Sequence, residues 1–209
     1  MKALVINPNS SEEMTKNIRE TVNNFVQNRF VADVVSVKSS PEFIGSYVDI
    51  AMTAQGILDC IKENENKYDA FILACHLDPN LDAAKEVTNK LVVGIGEVSM
   101  KMASLLGRKF SIIGSSNKTT SLKQELVVKY GLKKYCSSIR TPSEEQINLS
   151  LEEKLILVAK EAVEKDKVDI LVLGCAGFTG IDKKIEREVG VKVLDGVLCS
   201  LGFVESILR

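Results

Sequence analysis

Two cysteines carry the clearest chemical signal in this sequence. Residues 67–75 read Lys-Tyr-Asp-Ala-Phe-Ile-Leu-Ala-Cys, and residues 167–175 read Lys-Val-Asp-Ile-Leu-Val-Leu-Gly-Cys. Each is an apolar run that ends at a cysteine, Cys75 or Cys175. The offset of about one hundred residues continues without a gap: Asp82 falls on Asp182, Glu86 on Glu186, Val93 on Val193 and Gly96 on Gly196. A second echo sets residues 3–6 on 110–113. Each of these runs leads into a polar turn, Asn7-Pro8-Asn9-Ser10-Ser11 in one case and Gly114-Ser115-Ser116-Asn117 in the other. Two thiols in equivalent settings suit inversion of a carbon centre. Inversion needs a base on one face and an acid on the other, and two groups of one type exchange those roles with the hand of the substrate.

The neighbours of the two thiols extend the list of candidates. A thiol is ordinarily half ionised near ~8.5 and falls at a helix N-terminus, so one thiolate and one thiol are expected near neutral pH. Backbone N–H groups at helix starts are expected to hold the oxyanion formed beside a carbonyl, which leaves no call for a metal or another cofactor. Gly174, Gly177 and Gly180 would let the backbone approach a ligand, with Ala176 between the first two. Asn9 in the first polar turn and Ser115 and Ser116 in the second are candidate substrate contacts; the serines read equally as helix caps. His76, the only histidine, either tunes Cys75, touches substrate or packs at a helix start. Asp78 and Asp82 read as helix-start residues. Cys60, Cys136 and Cys199 lack the strand-end setting and read as small buried hydrophobes.

The elements that must position these groups alternate along the chain. Strands are expected at residues 2–6, 32–37, 70–74, 92–95, 110–114, 170–174 and 191–194. Helices are expected at 12–28, 49–63, 81–88, 98–106, 120–130, 151–165 and 182–189. Continuous apolar strands interleaved with amphipathic helices predict an α/β fold with parallel sheets covered on both faces. The two echoes divide it into two pseudosymmetric, Rossmann-like lobes: residues 1–97 with 197–209, and residues 98–196. Ligands gather at the carboxyl ends of such strands, so Cys75 and Cys175 are expected to meet across a cleft between the lobes.

Bulk composition narrows the function classes. A net charge of −1 over 209 residues, with no basic cluster, speaks against a nucleic-acid or anionic-membrane partner. No apolar run reaches the ~18 residues that span a bilayer. Five widely spaced cysteines with no CxxC fit a reducing, cytoplasmic setting better than a disulfide framework or a zinc site.

The motifs, in order, resemble those of hydantoin and allantoin racemases, a branch of the aspartate/glutamate racemase superfamily. The matches include Ile6-Asn7-Pro8-Asn9-Ser10, residues 41–49, Ala74-Cys75 with Asp78-Pro79 and Leu81-Asp82-Ala83-Ala84, and Val93-Gly94-Ile95-Gly96-Glu97. They continue through residues 110–113, Tyr130-Gly131-Leu132, residues 136–140, Leu173-Gly174-Cys175-Ala176-Gly177 and Asp195-Gly196-Val197. The resemblance implies two flavodoxin-like lobes, a two-thiol mechanism through Cys75 and Cys175, and an oligomer of like subunits. It places Phe43 and Ile44 in a segment that lines the pocket of relatives, and Ser115 and Ser116 near the ligand. The chain departs from the pattern at Gly45, His76-Leu77, Asn80 and Phe178-Thr179-Gly180, all of which flank the pocket.

These readings converge on a small-molecule racemase acting on a cyclic ureide, a 5-substituted hydantoin or allantoin. Free amino acid racemases of the superfamily follow the first cysteine with Asn-Thr and the second with Thr-His; here His76-Leu77 and Ala176-Gly177 follow. Phe43 and Phe178 tilt the choice toward an apolar hydantoin substituent. The alternatives are a racemase of free aspartate or glutamate, an enzyme like maleate isomerase or arylmalonate decarboxylase, and a non-enzymatic sensor. A sensor has only Gly94-Ile95-Gly96 in its favour, a fragment of a dinucleotide fingerprint.

Overall fold

The apolar runs become strands whose alternate side chains enter different cores. The structure, a computed structural model, describes residues 1–27, 29–106, 109–143 and 148–209. In the first lobe the strands are β1 (Lys2–Asn7), β2 (Val31–Ser36), β3 (Ala70–Leu73) and β4 (Leu91–Gly94), ordered β2-β1-β3-β4. In the second they are β5 (Phe110–Ile113), β6 (Cys136–Arg140), β7 (Ile170–Leu173) and β8 (Lys192–Leu194), ordered β6-β5-β7-β8. All pairings are parallel, and each strand of one sheet holds the place of the strand four later in the other.

Helices α1 (Glu12–Val26), α2 (Tyr47–Met52), α3 (Ala54–Asn64), α4 (Leu81–Glu86) and α5 (Ile95–Leu105) belong to the first half of the chain. Helices α6 (Thr120–Lys129), α7 (Leu151–Asp166), α8 (Asp182–Val189) and α9 (Gly196–Leu208) belong to the second. The period-two alternation of the strands assigns the cores. Val5 and Ile72 share one buried cluster with Ile112 and Val172, so the inner faces of both sheets meet in common packing. Leu4, Ile6, Phe71 and Leu73 face outward onto Ile57 and Ile61 of α3. Leu171 and Leu173 likewise face Leu155 and Val158 of α7. Between the lobes, α5 packs against α9; α5 also reaches β7, and α9 reaches back to β3 and β4.

Several elements differ from the sequence expectation. Strand β6 was not expected because its residues, Cys-Ser-Ser-Ile-Arg, form no apolar run. It is an edge strand tied down by polar contacts instead. Ser138 Oγ and Ser111 Oγ lie 2.9 Å apart, Ser111 Oγ donates to Asp166, and Arg140 donates to both Asp166 oxygens at 2.7 Å. Helix α9 was read only as a lobe segment; neighbours bury Val197, Leu201 and Val204, while Phe203 and Ile207 stay exposed. The expected helix 49–63 is two helices broken at Thr53, and α5 begins directly after β4, three residues before the expected start. Asn28, the last residue expected of the first helix, lies outside the described residues. Asn80 stands where the family pattern has glycine, and its φ of 56° explains that preference. Its side chain compensates by donating to Ile50 O and Thr53 Oγ1 at 2.7 and 3.0 Å.

One carboxylate sews the end of each cysteine loop to the helix that crosses between the lobes. In the first half, Asp78 accepts from the N–H groups of Gly96 and Glu97 at 3.0 and 2.6 Å. In the second, the carboxylate sits on the helix side: Asp195 accepts from Val197 and Leu198 N–H at the start of α9, and from Thr179 Oγ1 and Gly180 N–H in the loop. Asp195→Ala strands four donors, three of them backbone, and is expected to lower unfolding free energy by about 2–4 kcal/mol. Asp195→Asn, which keeps one acceptor, is expected to lose less. Urea denaturation of the two variants beside the unmodified chain measures both.

Candidate active site

The two cysteine loops are built alike. Register carries Ile6 opposite Leu73 in one sheet and Ile113 opposite Leu173 in the other. Ala74 N–H then donates to Ile6 O at 2.8 Å, and Gly174 N–H donates to Ile113 O at 2.8 Å. Each cysteine next opens a tight turn: Asp78 N–H reaches Cys75 O at 2.9 Å, and Phe178 N–H reaches Cys175 O at 3.1 Å. The N–H two residues on, of Leu77 or Gly177, donates to the sulfur. The echo in the sequence is therefore an echo in backbone hydrogen bonding, and it aims both sulfurs into one cleft.

The cleft spans about 370 Å³ between its walls, and a water-sized body fits in only about 30 Å³ of it. Its walls bring together Asn9, Phe43, Ile44, Cys75, His76, Ser115, Gly174, Cys175 and Ala176 from the sequence candidates. Gly177 borders it through its contact with the Cys175 sulfur. Ser116 is off the wall; its side chain caps the short 3-10 turn Asn117–Thr119 by accepting from Lys118 N–H. Phe178 is also absent from the wall, because it packs into the outer core of the second lobe. Phe43, 44% exposed, is thus the aromatic at the cleft. Gly45 sits under it: a Cβ there would lie 2.5 Å from the Phe43 ring, so the glycine lets the ring fold back over the loop.

Asn9 is held by a buried network. Its Oδ1 accepts from Asn7 Nδ2 at 2.8 Å and Ser11 N–H at 3.0 Å, while Asn7 Nδ2 also donates to Thr15 Oγ1 at 2.9 Å. Ser115 donates its hydroxyl to the Cys175 sulfur. Gly174, on the cleft wall, also has a packing role. A Cβ there would lie 2.7 Å from Ile112 Cγ2 and 3.1 Å from Lys123 Cε, so packing demands the glycine.

The electrostatics overturn one expectation. Neither thiol sits at the start of a long helix: α4 begins six residues after Cys75, and Cys175 precedes only a single 3-10 turn, Ala176–Phe178. The N–H groups at the starts of α5 and α9 are spent on Asp78 and Asp195. Burial therefore dominates. It pushes the Cys75 thiol up to about 12 and raises Cys175 as well, with Leu77 and Gly177 N–H groups pulling the other way.

Sequence reasoning missed two participants. Asp78 is no helix-start residue but a buried carboxylate that also accepts from Tyr130 Oη at 2.8 Å, joining the first cysteine loop to α6 of the other half. Burial raises it to about 7 against these three donors. Lys123 is 2% exposed and lines the cleft with both thiols. The available signal was its place on α6, four residues from the buried Thr119 and Val127 on either side. A lysine on the apolar stripe of a helix needs a reason.

A match to the family model for Asp/Glu/hydantoin racemase covers residues 4–203. The chain belongs to this racemase family, and it is accordingly an isomerase of the racemase type. A hydantoin racemase of Pseudomonas sp. (strain NS671) is 37% identical to this racemase-family chain, over 100% of the chain and 86% of the relative. The allantoin racemase structure from Klebsiella pneumoniae superposes with a TM-score of 0.90 at 29% identity, covering 100% and 87% of the two chains. That from Pseudomonas fluorescens gives 0.92 at 25% identity, covering 100% and 91%.

In this racemase-family chain His76 is 2% exposed and neither ring nitrogen has a hydrogen-bond partner among the described residues. Burial, aided by the charge of Lys123, drives its pKa down to about 3, so the imidazole is neutral at working pH. A depressed pKa means that folding loses stability as pH falls below the ordinary ~6.5, by about 1.4 kcal/mol per unit until the folded value is reached. The single imidazole resonance is expected to hold its NMR shift between about pH 5 and 8, and His76→Asn is expected to flatten the acid limb of the stability profile. A resonance titrating near 6.5 would contradict this placement.

Proposed function

We propose that this chain racemises a cyclic ureide, a 5-substituted hydantoin or allantoin, by proton transfer between Cys75 and Cys175. The observation that carries the reading is the presence of two thiols, at equivalent strand ends with equivalent turns, on the walls of one narrow cleft. A thiolate removes the hydrogen from the ring carbon, the electron pair passes onto the adjoining carbonyl, and the opposite thiol returns a proton to the other face. The first sulfur ends as the thiol and the second as the thiolate, so the opposite enantiomer reverses the roles. The carbonyl acidifies the C–H, which is why paired thiols suffice for the proton transfers.

The named relatives, all hydantoin or allantoin racemases, support the ureide class. Neutral His76, with a free donor and a free acceptor, suits the alternating N–H and C=O edge of a ureide ring. Asn9, Ile44, Ser115, Gly174, Ala176 and Gly177 complete the proposed binding surface, and Phe43 favours an apolar ring substituent.

Lobe limits of 1–97 with 197–209, and 98–196, belong to the same proposal; the return of α9 to β3 and β4 supports them. So does a cytoplasmic setting, supported by five unpaired cysteines. No helix among the described residues is long and apolar enough to cross a membrane. Exposed Leu105 and Leu106 at the end of α5, with Phe203 and Ile207 on α9, support assembly with like subunits.

The test is incubation with an enantiopure 5-substituted hydantoin, and separately allantoin, in deuterated water. Optical rotation is expected to decay as the ring carbon takes up deuterium, after subtraction of exchange without protein. Cys75→Ser and Cys175→Ser are each expected to abolish racemisation while leaving exchange with one enantiomer only, a different one for each variant. Near-normal turnover in both variants would exclude the two-thiol mechanism.

A further inference from the structure

The cleft poses a charge problem. Proton abstraction needs a thiolate, yet both sulfurs lie where burial raises thiols, and each thiolate would raise the other. Something must compensate one negative charge without tying it to one sulfur.

Lys123 meets that need by position. It rises from α6, in the half of the chain that carries Cys175, and lines the cleft with Cys75 and Cys175. Among the described residues no carboxylate pairs with it. Its one hydrogen bond runs from Nζ to Thr119 Oγ1 at 2.9 Å. That acceptor is oriented in turn, because the Thr119 hydroxyl donates to Ser116 O at 2.9 Å. Two of the three ammonium hydrogens are left for other partners. Gly174 gives the stem room, since a Cβ there would lie 3.1 Å from Lys123 Cε. The equivalent of Gly174 in the first lobe is Ala74, so this opening exists on one side only.

We propose that Lys123 is the shared counter-cation of the thiol pair, holding one ammonium charge beside two sulfurs that carry one negative charge between them. The inference rests on the two-thiol reading. Burial lowers the Lys123 pKa and a thiolate at either cysteine opposes that lowering, so in each turnover the negative charge passes from one sulfur to the other beside a retained ammonium, and the site begins and ends with no net charge on these three groups. Lys123 acts through the sulfurs and is a positioning residue. The charged or titratable groups around it are the two thiols, His76, which is neutral, and Asp78, which lies nearer Cys75 and opposes its ionisation. Lysine is the only one of these that favours thiolate at both cysteines.

The test reads thiolate directly and needs no substrate, so it stands apart from the racemase assay. Alkylation of Cys75 and Cys175 by iodoacetamide is followed from about pH 5.5 to 10 by peptide mapping, with Cys60, Cys136 and Cys199 as internal references. Methionine keeps most of the volume of the lysine stem and glutamine keeps a polar end, so Lys123→Met is the first variant and Lys123→Gln the second. In both, the alkylation midpoint of the two cleft cysteines is expected to rise by about one to three pH units, slowing the reaction near neutral pH at least about tenfold. The reference cysteines are expected to be unmoved, and Lys123→Arg is expected to keep the original midpoint even if turnover falls. An unmoved midpoint in Lys123→Met overturns the proposal. So does a rise in KM for carboxylate-bearing substrates with the thiol profile intact, which would make Lys123 a substrate contact. Loss of a cooperative unfolding transition in both neutral variants also overturns it, since the lysine would then be a structural tether.

Discussion

Everything in this molecule depends on fixing two sulfur atoms on the walls of one cleft. Side chains alone do not achieve that; backbone register does. A parallel sheet offers every strand end at the same edge, and the residue after a strand is held there by one further ladder bond. Ala74 N–H to Ile6 O and Gly174 N–H to Ile113 O are that bond in the two lobes. A slip of one residue in either sheet would turn its cysteine into the opposite face. The inner and outer cores resist such a slip, because Val5, Ile72, Ile112 and Val172 would exchange places with the outward set. The catalytic geometry proposed here is thus guarded by hydrophobic burial some distance from the sulfurs.

Bringing the two lobes together creates a second constraint, the partial loss of water around the thiols. A dry cleft strengthens any charge interaction placed within it and equally resists forming a charge. The molecule answers with local dipoles at each sulfur, the N–H groups of Leu77 and Gly177, and with a cation reachable from both. It also keeps one ionisable neighbour silent. His76, left without partners and driven down to about 3, adds no charge across the working pH range. Asp78, raised to about 7, is the neighbour of Cys75 whose charge does change near neutral pH.

How much of this was legible in the sequence follows from which interactions are periodic. Strands covered on both faces are mostly apolar, so seven of the eight strands among the described residues were readable, the part-exposed β2 among them, and the repeat at Cys75 and Cys175 disclosed the lobes. Strand β6 was not, since an edge held by Ser111, Ser138, Arg140 and Asp166 writes no apolar run. Helix α9 has the opposite difficulty: buried by neighbours on several sides, it has no polar face to mark its period. Most candidate site residues line the cleft because they share a strand end or its turn. Phe178 and Ser116 do not, since a turn sends successive side chains in different directions and sequence proximity says little about aim. Lys123 was hidden for another reason. It reaches the cysteines by folding a long stem past Gly174, a contact made between elements distant in the chain.

The lobes are alike where the chemistry must be reversible and unlike where the substrate must be recognised. The tight turn, the ladder bond and the N–H on sulfur recur in both halves. Around them the wall is lopsided: His76 and Leu77 adjoin one sulfur, Ala176 and Gly177 the other, and only the second lobe has the opening that admits a lysine stem. A ureide ring is itself asymmetric about the carbon being inverted, with a carbonyl on one side and a nitrogen on the other. A fully symmetric cleft would hold such a ring in two orientations, only one of which sets the acidic carbon between the sulfurs. Unequal walls remove that ambiguity, while in the proposed mechanism equal thiols leave both enantiomers with a base on one face and an acid on the other. The differences between the two halves are therefore compatible with, and useful to, a reaction that runs in either direction.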